Sequence, residues 1–168
     1  MRILWSRPKR VSNIINIMKK ENFNHYVGNI TPSDDTIFVF GSNYEGRHGA
    51  GSAKVAMRQF GAIYGQGRGI QGHAYGLITT DVKTRVRPSV SRDEIILYIK
   101  ELYTVARNYS NYKFKIAYRN SLDEKTLCGY SGYELMDMFL NKSGEIPSNI
   151  WFSKEWWDNI EYVTNNPL

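Results

Sequence analysis

Glycine is concentrated in one stretch of this chain. Ten of the fourteen glycines lie between residues 41 and 76, directly after the apolar run Ile37–Phe40. Such an unbroken apolar run is typical of a strand covered on both faces, as in a parallel sheet. Residues 52–60 then carry apolar side chains at helical spacing. Since glycine-rich backbone followed by a helix N-terminus binds phosphate in many proteins, the sequence predicts an anion-binding loop between this strand and this helix.

The rest of the chain alternates between strand and helix patterns. Such alternation predicts a layered α/β sheet, in which ligands bind at the carboxyl ends of the strands. The loops that follow Phe40 and Tyr118 lie at such ends, and they face one crevice if their strands are neighbours. The patterns predict strands near 26–27 and over 37–40, 74–79, 114–118 and 149–152, and helices over 11–20, 52–60, 91–108 and 131–140.

Composition excludes several classes of protein. The length of 168 residues, with 42% hydrophobic and 23% charged residues, fits one globular domain. Cys128 is the single cysteine, so no internal disulfide is possible, and without a Cys/His cluster we expect neither a zinc site nor another metal or cofactor. No segment approaches the roughly 20 apolar residues of a membrane span. We therefore expect a cytoplasmic protein with no membrane partner.

The net charge of +6 comes from one end of the chain. Residues 1–20 contain six basic residues and no acidic one, so the remainder is neutral overall. We interpret residues 1–22 as a basic extension with a short helix. It is either a solvated helix face or an arm that contacts nucleic acid.

Several short motifs occur in a fixed order along the chain. Gly28-Asn29-Ile30-Thr31 comes before the apolar strand, Gly41-Ser42-Asn43 follows it, and Gly49-Ala50-Gly51-Ser52-Ala53 opens the helix. Later, Ile116-Ala117-Tyr118 and Gly129-Tyr130-Ser131 flank a loop. In this order the motifs resemble those of the macro domain, the ADP-ribose-binding module, over residues 26–152. The resemblance implies that residues 1–168 form one α/β, three-layer α/β/α macro-like domain with a mixed, mostly parallel central sheet.

The resemblance also implies a set of ligand-binding residues. Asn29 and Ile30 match positions at the adenine, and Asn43 matches a position at the distal ribose. The remaining implied contacts lie in the two loops, at Ser42, Gly49, Ala50, Gly51, Ser52, Gly129 and Tyr130. The chain departs from the family where Asn29 replaces an Asp, because an amide loses the charge assistance of a carboxylate.

The candidate catalytic residues come from the same two loops. Asn43 would orient the sugar, and His48, Asp123 or Lys125 would move the proton or polarise water. The leading hypothesis is a hydrolase of the ADP-ribosyl glycohydrolase or ADP-ribose-phosphate phosphatase type, acting on an ADP-ribosylated protein or nucleic acid. The first alternative is a non-catalytic reader or sequestering protein for an ADP-ribose-type nucleotide. The second alternative is a nucleic-acid-associated protein that uses the basic N-terminal segment.

Overall fold

A computed structural model describes residues 19–168 of the chain. Most of the helix predicted over 11–20 and of the basic extension lies outside these residues. The strands are β1 Asn24–Tyr26, β2 Thr36–Asn43, β3 Gly69–Gln71, β4 Ala74–Thr80, β5 Lys113–Ile116 and β6 Ile150–Ser153. The helices are α1 Gly51–Gln59, α2 Arg92–Asn108, α3 Gly132–Asn141, α4 Lys154–Trp157 and α5 Ile160–Asn165, and a 3₁₀ turn covers Lys20–Asn22.

The strands form one sheet in the order β1-β6-β5-β2-β4-β3. Every pair is parallel except β3 with β4, which confirms the predicted α/β fold with a mixed, mostly parallel sheet. Strand β2 lies between β5 and β4, with Phe38 opposite both Lys115 and Ala74. The loops after β2 and β5 therefore leave the sheet at the same edge, as their neighbouring positions require.

The apolar run in β2 alternates between two cores. Ile37 and Val39 pack in the larger core, which includes buried residues of α2 and α3. Phe38 and Phe40 pack on the opposite side, where Phe38 stacks on Phe60 just after α1 with ring centroids 4.4 Å apart. Both faces of the strand are covered, which explains why its sequence shows no polar alternation.

The helices differ in how they begin. At the start of α2, Ser91 Oγ accepts from the Glu94 amide at 3.2 Å, but the Glu94 carboxylate accepts from Tyr44 and Tyr98, so the capping box is only half formed. A complete capping box, which the sequence analysis missed, joins Ser131 and Glu134 at the start of α3. Within residues 19–168, no helix has both the length and the apolar character needed to cross a bilayer.

Candidate functional site

Two adjoining cavities open at the carboxyl ends of β2, β4 and β5. The large cavity has a volume of about 610 Å³ and the small cavity about 290 Å³. Ser52 and Ala117 line both of them, so the two cavities share part of their walls; together they are called the groove. The polar and charged side chains that line the large cavity belong to Ser42, Asn43, Arg47, Ser52, Thr79, Thr80, Arg87, Tyr118, Asn120 and Thr126.

Tyr118 lines the large cavity just past the end of β5. Its ring stacks on Trp156, with centroids 5.5 Å apart and an interplanar angle of 6°. A β-carbon at Gly41 would lie 2.5 Å from the Tyr118 hydroxyl, so glycine at this position makes room for the tyrosine. Burial raises the pKa of Tyr118 well above its ordinary value, which keeps the hydroxyl protonated. This part of the cavity therefore presents a neutral hydroxyl group.

The N-terminus of α1 forms one wall of the large cavity. Ala50 occupies the N-cap position, and no side chain caps the helix. The first turn also carries no acidic residue. Gly49, Ala50, Ser52 and Ala53 line the cavity, so the first-turn amides and the positive end of the helix dipole lie at its surface. This wall is suited to an anion.

Asn43 shapes the loop between β2 and α1. Its side-chain oxygen accepts from the Arg47 amide at 2.9 Å, and its side-chain nitrogen donates to the Arg47 carbonyl at 3.1 Å. The Asn43 carbonyl also accepts from the Gly46 amide at 3.1 Å. Because both ends of the side-chain amide bond to the loop, Asn43 positions Arg47 beside the cavity, and its predicted contact with a ribose stays a prediction.

The loop between β5 and α3 is the second of the two predicted ligand-binding loops, and it reaches the same cavity. Thr126, Leu127 and Cys128 line it opposite α1, and a β-carbon at Gly51 would lie 3.3 Å from Leu127 Cδ1. The two loops therefore converge on one site, as a shared ligand requires.

Gly129 and Tyr130 support this loop from behind and line neither cavity. A β-carbon at Gly129 would lie 2.8 Å from the Pro88 nitrogen, so the loop packs tightly against the segment that carries Arg87. The Tyr130 hydroxyl donates to the Val90 carbonyl at 2.7 Å. Their structural contacts hold the second loop against the segment after β4.

The charged side chains of the large cavity are all basic. Arg47 and Arg87 line it, and none of the lining residues within 19–168 is an aspartate, glutamate, lysine or histidine. Arg87 Nη1 donates to the carbonyls of Thr84 and Val86 at 2.7 and 2.9 Å. These two bonds hold one end of the guanidinium group in place. Arg68, by contrast, pairs with Glu101 away from the groove. The cavity thus combines two cations with a helix N-terminus.

Three of the predicted catalytic side chains line neither cavity. His48 is fully buried, with Nε2 at 2.9 Å from the Gln66 carbonyl and 3.2 Å from Gln71 Oε1. Both partners are acceptors, so Nε2 carries the proton. Asp123 is exposed and accepts from Ser121 at 3.1 Å, and Lys125 is exposed and pairs through its backbone with Ser131. None of these three side chains lines the groove, and their catalytic roles stay predictions.

All but one of the other predicted ligand residues line the groove; the exception is Gly51, which lines neither cavity. Asn29 and Ile30 line the small cavity, while Ser42, Gly49, Ala50 and Ser52 line the large one. Seven polar residues of the large cavity were not among the predicted ligand residues: Arg47, Thr79, Thr80, Arg87, Tyr118, Asn120 and Thr126. Thr79 and Thr80 had a usable signal, because they end a predicted strand at the edge where ligands bind.

Comparison of the sequence with known proteins gives no match. No protein-family model matches the sequence, and no curated protein matches it. In the part of the chain that the structure describes, no group of three or more His, Cys, Asp or Glu residues is placed to hold a metal ion.

Proposed function

We propose that the groove binds a nucleotide of the ADP-ribose type and that the chain is a macro-like, three-layer domain. The diphosphate would lie at the N-terminus of α1 between Arg47 and Arg87. The observation that carries this proposal is the large cavity, in which an uncapped helix N-terminus and two arginines meet without any acidic lining residue among those described. Helix N-termini and arginine side chains both bind phosphate oxygens well, because each presents several hydrogen-bond donors and positive charge.

The division of the groove supports a ligand with a base at one end. Ser52 belongs to the first turn of α1 and lines both cavities, so the helix N-terminus lies where they join. An ADP-ribose-type nucleotide has its diphosphate between two larger groups, a nucleoside and a second ribose. With the diphosphate at this junction, the small cavity would receive the base and the large cavity the distal ribose.

The lining favours the binder over the hydrolase. General acid–base catalysis needs a titratable group within hydrogen-bonding reach of the reacting atoms. The described lining residues of the large cavity include neither a carboxylate nor an imidazole. Its titratable side chains besides the arginines are Tyr118, whose pKa burial raises, and the buried Cys128, while Arg47 and Arg87 supply charge for binding. We therefore propose that the protein reads an ADP-ribosylated target or sequesters a free ADP-ribose-type nucleotide.

Calorimetric titration with ADP-ribose tests this proposal. We expect Arg87→Ala to weaken binding about tenfold or more, because a hydrogen bond to a charged group contributes roughly 1.5–3 kcal/mol. Arg85→Ala is the matched control, since Arg85 is exposed in the same segment and lines neither cavity. Arg47→Ala with Arg58→Ala forms a second matched pair, because Arg58 is exposed on α1 outside the groove.

Two results would count against the proposal. Absence of ADP-ribose binding at millimolar concentration would remove it, and equal losses for Arg87→Ala and Arg85→Ala would move the anion site elsewhere. A release assay on ADP-ribosylated protein and nucleic acid addresses the hydrolase hypothesis separately. If the wild type releases ADP-ribose and Asp123→Ala does not, the hypothesis that the second loop is catalytic would be restored.

A further inference from the structure

The small cavity contains a fixed arrangement of hydrogen-bond donors. Asn29 and Arg119 both line it, next to the apolar side chains of Ile30, Phe38 and Val55. Arg119 Nη2 donates to Glu155 Oε2 at 3.0 Å, and Arg119 Nη1 donates to Asn29 Oδ1 at 3.2 Å. The guanidinium is thus held between a carboxylate and an amide, so its orientation is set before a ligand arrives.

This pair decides which way the Asn29 amide points. A guanidinium has only donors, so the atom of Asn29 that faces it must be the oxygen. The amide nitrogen of Asn29, with its two N–H groups, is left for other partners. The hydrogen bond with Glu155 holds the pKa of Arg119 above its ordinary value, so the cation persists at any physiological pH.

The neighbouring polar groups do not offset this excess of donors. The Tyr26 hydroxyl donates to the Ile116 carbonyl at 2.5 Å and is therefore committed to the backbone. Gln59 and Ser52 can each donate or accept, so both can serve either kind of ligand group. Glu155 does not line the cavity, and its carboxylate faces Arg119.

We propose that the small cavity selects a purine with a carbonyl oxygen at position 6, hypoxanthine or guanine, over adenine. This inference rests on the proposed function, since it assigns the base of the same nucleotide. A 6-oxopurine offers the acceptors O6 and N7 to Arg119 and the Asn29 amide nitrogen, and arginine pairs readily with these two atoms. The 6-amino group of adenine is a donor and would face donors that it cannot satisfy.

Titration with two ligands that differ at position 6 tests the inference. ADP-ribose and its inosine analogue share the diphosphate and both riboses, so their affinity ratio isolates the base. We expect the inosine analogue to bind the wild-type protein at least tenfold more tightly than ADP-ribose.

A single substitution should shift that ratio. Asn29→Asp replaces the donor end of the amide with a carboxylate oxygen, so we expect the preference for the inosine analogue to fall at least tenfold. Asn111→Asp is the matched control, because it adds the same charge at an exposed position that lines neither cavity. The control should keep the wild-type ratio.

The outcomes separate this inference from the proposed function. ADP-ribose binding as tightly as the inosine analogue, or more tightly, would overturn the base preference and leave the nucleotide site intact. Failure of both ligands to bind would overturn both proposals. An unchanged ratio in Asn29→Asp would overturn the assignment of Asn29, even if the wild type prefers the inosine analogue.

Discussion

Helices α1 and α3 each follow a strand of the central sheet after a loop, yet their N-termini are built in opposite ways. At α3, Ser131 and Glu134 form a complete capping box, and Arg92 pairs with the Glu134 carboxylate. At α1, the N-cap residue is Ala50, no side chain caps the helix, and the first turn carries no acid. The first-turn amides of α3 bond to Ser131 and to carbonyls of the preceding loop, whereas those of α1 lie at the surface of a cavity.

The difference shows where the chain gives up local stability. A capping side chain typically stabilises a helix by about 0.5–2 kcal/mol, so an alanine at this position forgoes that contribution. The same absence leaves donors and a positive dipole end that a bound anion can satisfy. In α1 the ligand itself would then act as the cap.

The largest expected effect comes from making α1 resemble α3. Ala50→Asp would place a carboxylate at an N-cap whose backbone is already extended, with φ −152° and ψ 165°. We expect ADP-ribose affinity to fall about 100-fold, close to 3 kcal/mol, because the new carboxylate occupies the anion position and repels phosphate. Thermal unfolding should occur at an unchanged or higher temperature.

Ala50→Asn is the control for this prediction, because it supplies a cap without charge and should weaken binding less. Full affinity in Ala50→Asp would show that no anion binds at α1.

Two glycines of the loop before α1 differ in the space that a β-carbon would have. Gly46 has a φ of +67°, and a β-carbon there would lie 2.4 Å from the Gln66 amide nitrogen, whereas a β-carbon at Gly49 meets nothing within 4 Å. We expect Gly46→Ala to lower the free energy of unfolding by about 2–4 kcal/mol. Gly49→Ala should change it by less than about 0.5 kcal/mol and weaken ADP-ribose binding, because its methyl group enters the cavity. Denaturant unfolding and calorimetry on both variants check this, and unchanged binding in Gly49→Ala would place the ligand elsewhere.

Removing the cap of α3 should have a smaller and purely structural effect. Ser131→Ala deletes the hydrogen bond from the Glu134 amide, which measures 3.1 Å. We expect a loss of about 1 kcal/mol in the free energy of unfolding, or a melting temperature lower by about 2–4 °C. Affinity for ADP-ribose should stay at the wild-type value, and a loss of affinity matching that of Ala50→Asp would remove the distinction between the two helices.

The smallest effect concerns Asp137 within α3. It is a change in the free energy of unfolding that depends on pH only in acid. Burial raises the pKa of Asp137, but hydrogen bonds from Asn141, the Leu168 amide and Lys142 lower it more, so its pKa lies below the ordinary value. The stabilisation is therefore present above the unfolded-state pKa of about 3.9 and disappears as pH falls through the folded-state pKa. Urea unfolding from pH 7 to pH 2 should show the stability gap between wild type and Asp137→Asn narrowing only below about pH 4. Asp93→Asn, at an exposed position on α2, is the control, and a gap that is constant with pH would contradict the assignment.

The sequence carried enough signal for the central elements. The apolar run of β2 and the helical spacing of α1 are local patterns, so both elements could be predicted, together with the loop between them. Strand β3 could not, because its three residues are too few to show a period and it exists through its pairing with β4. Short helix α5 is defined in the same way by its packing, with Ile160 and Val163 buried in the large core.

The candidate site was less predictable than the fold. The loops were found because glycine and polar residues follow strands, but side-chain direction within a loop depends on distant partners. His48 is buried because Gln66 and Gln71, which are 18 and 23 residues away, supply acceptors for its ring. Arg87 lines the cavity and Arg85 does not, although both are arginines of the same segment.

The bonds between the Asn43 side chain and the Arg47 backbone have a consequence for the kinetics of binding. They brace the turn from both sides in the unliganded chain, so little backbone entropy remains to be lost when a nucleotide arrives. Association should then follow a single exponential whose rate rises linearly with ligand concentration, with no slow isomerisation step. If a nucleotide binds as proposed, its association rate would be set by encounter with the groove and not by rearrangement of this loop.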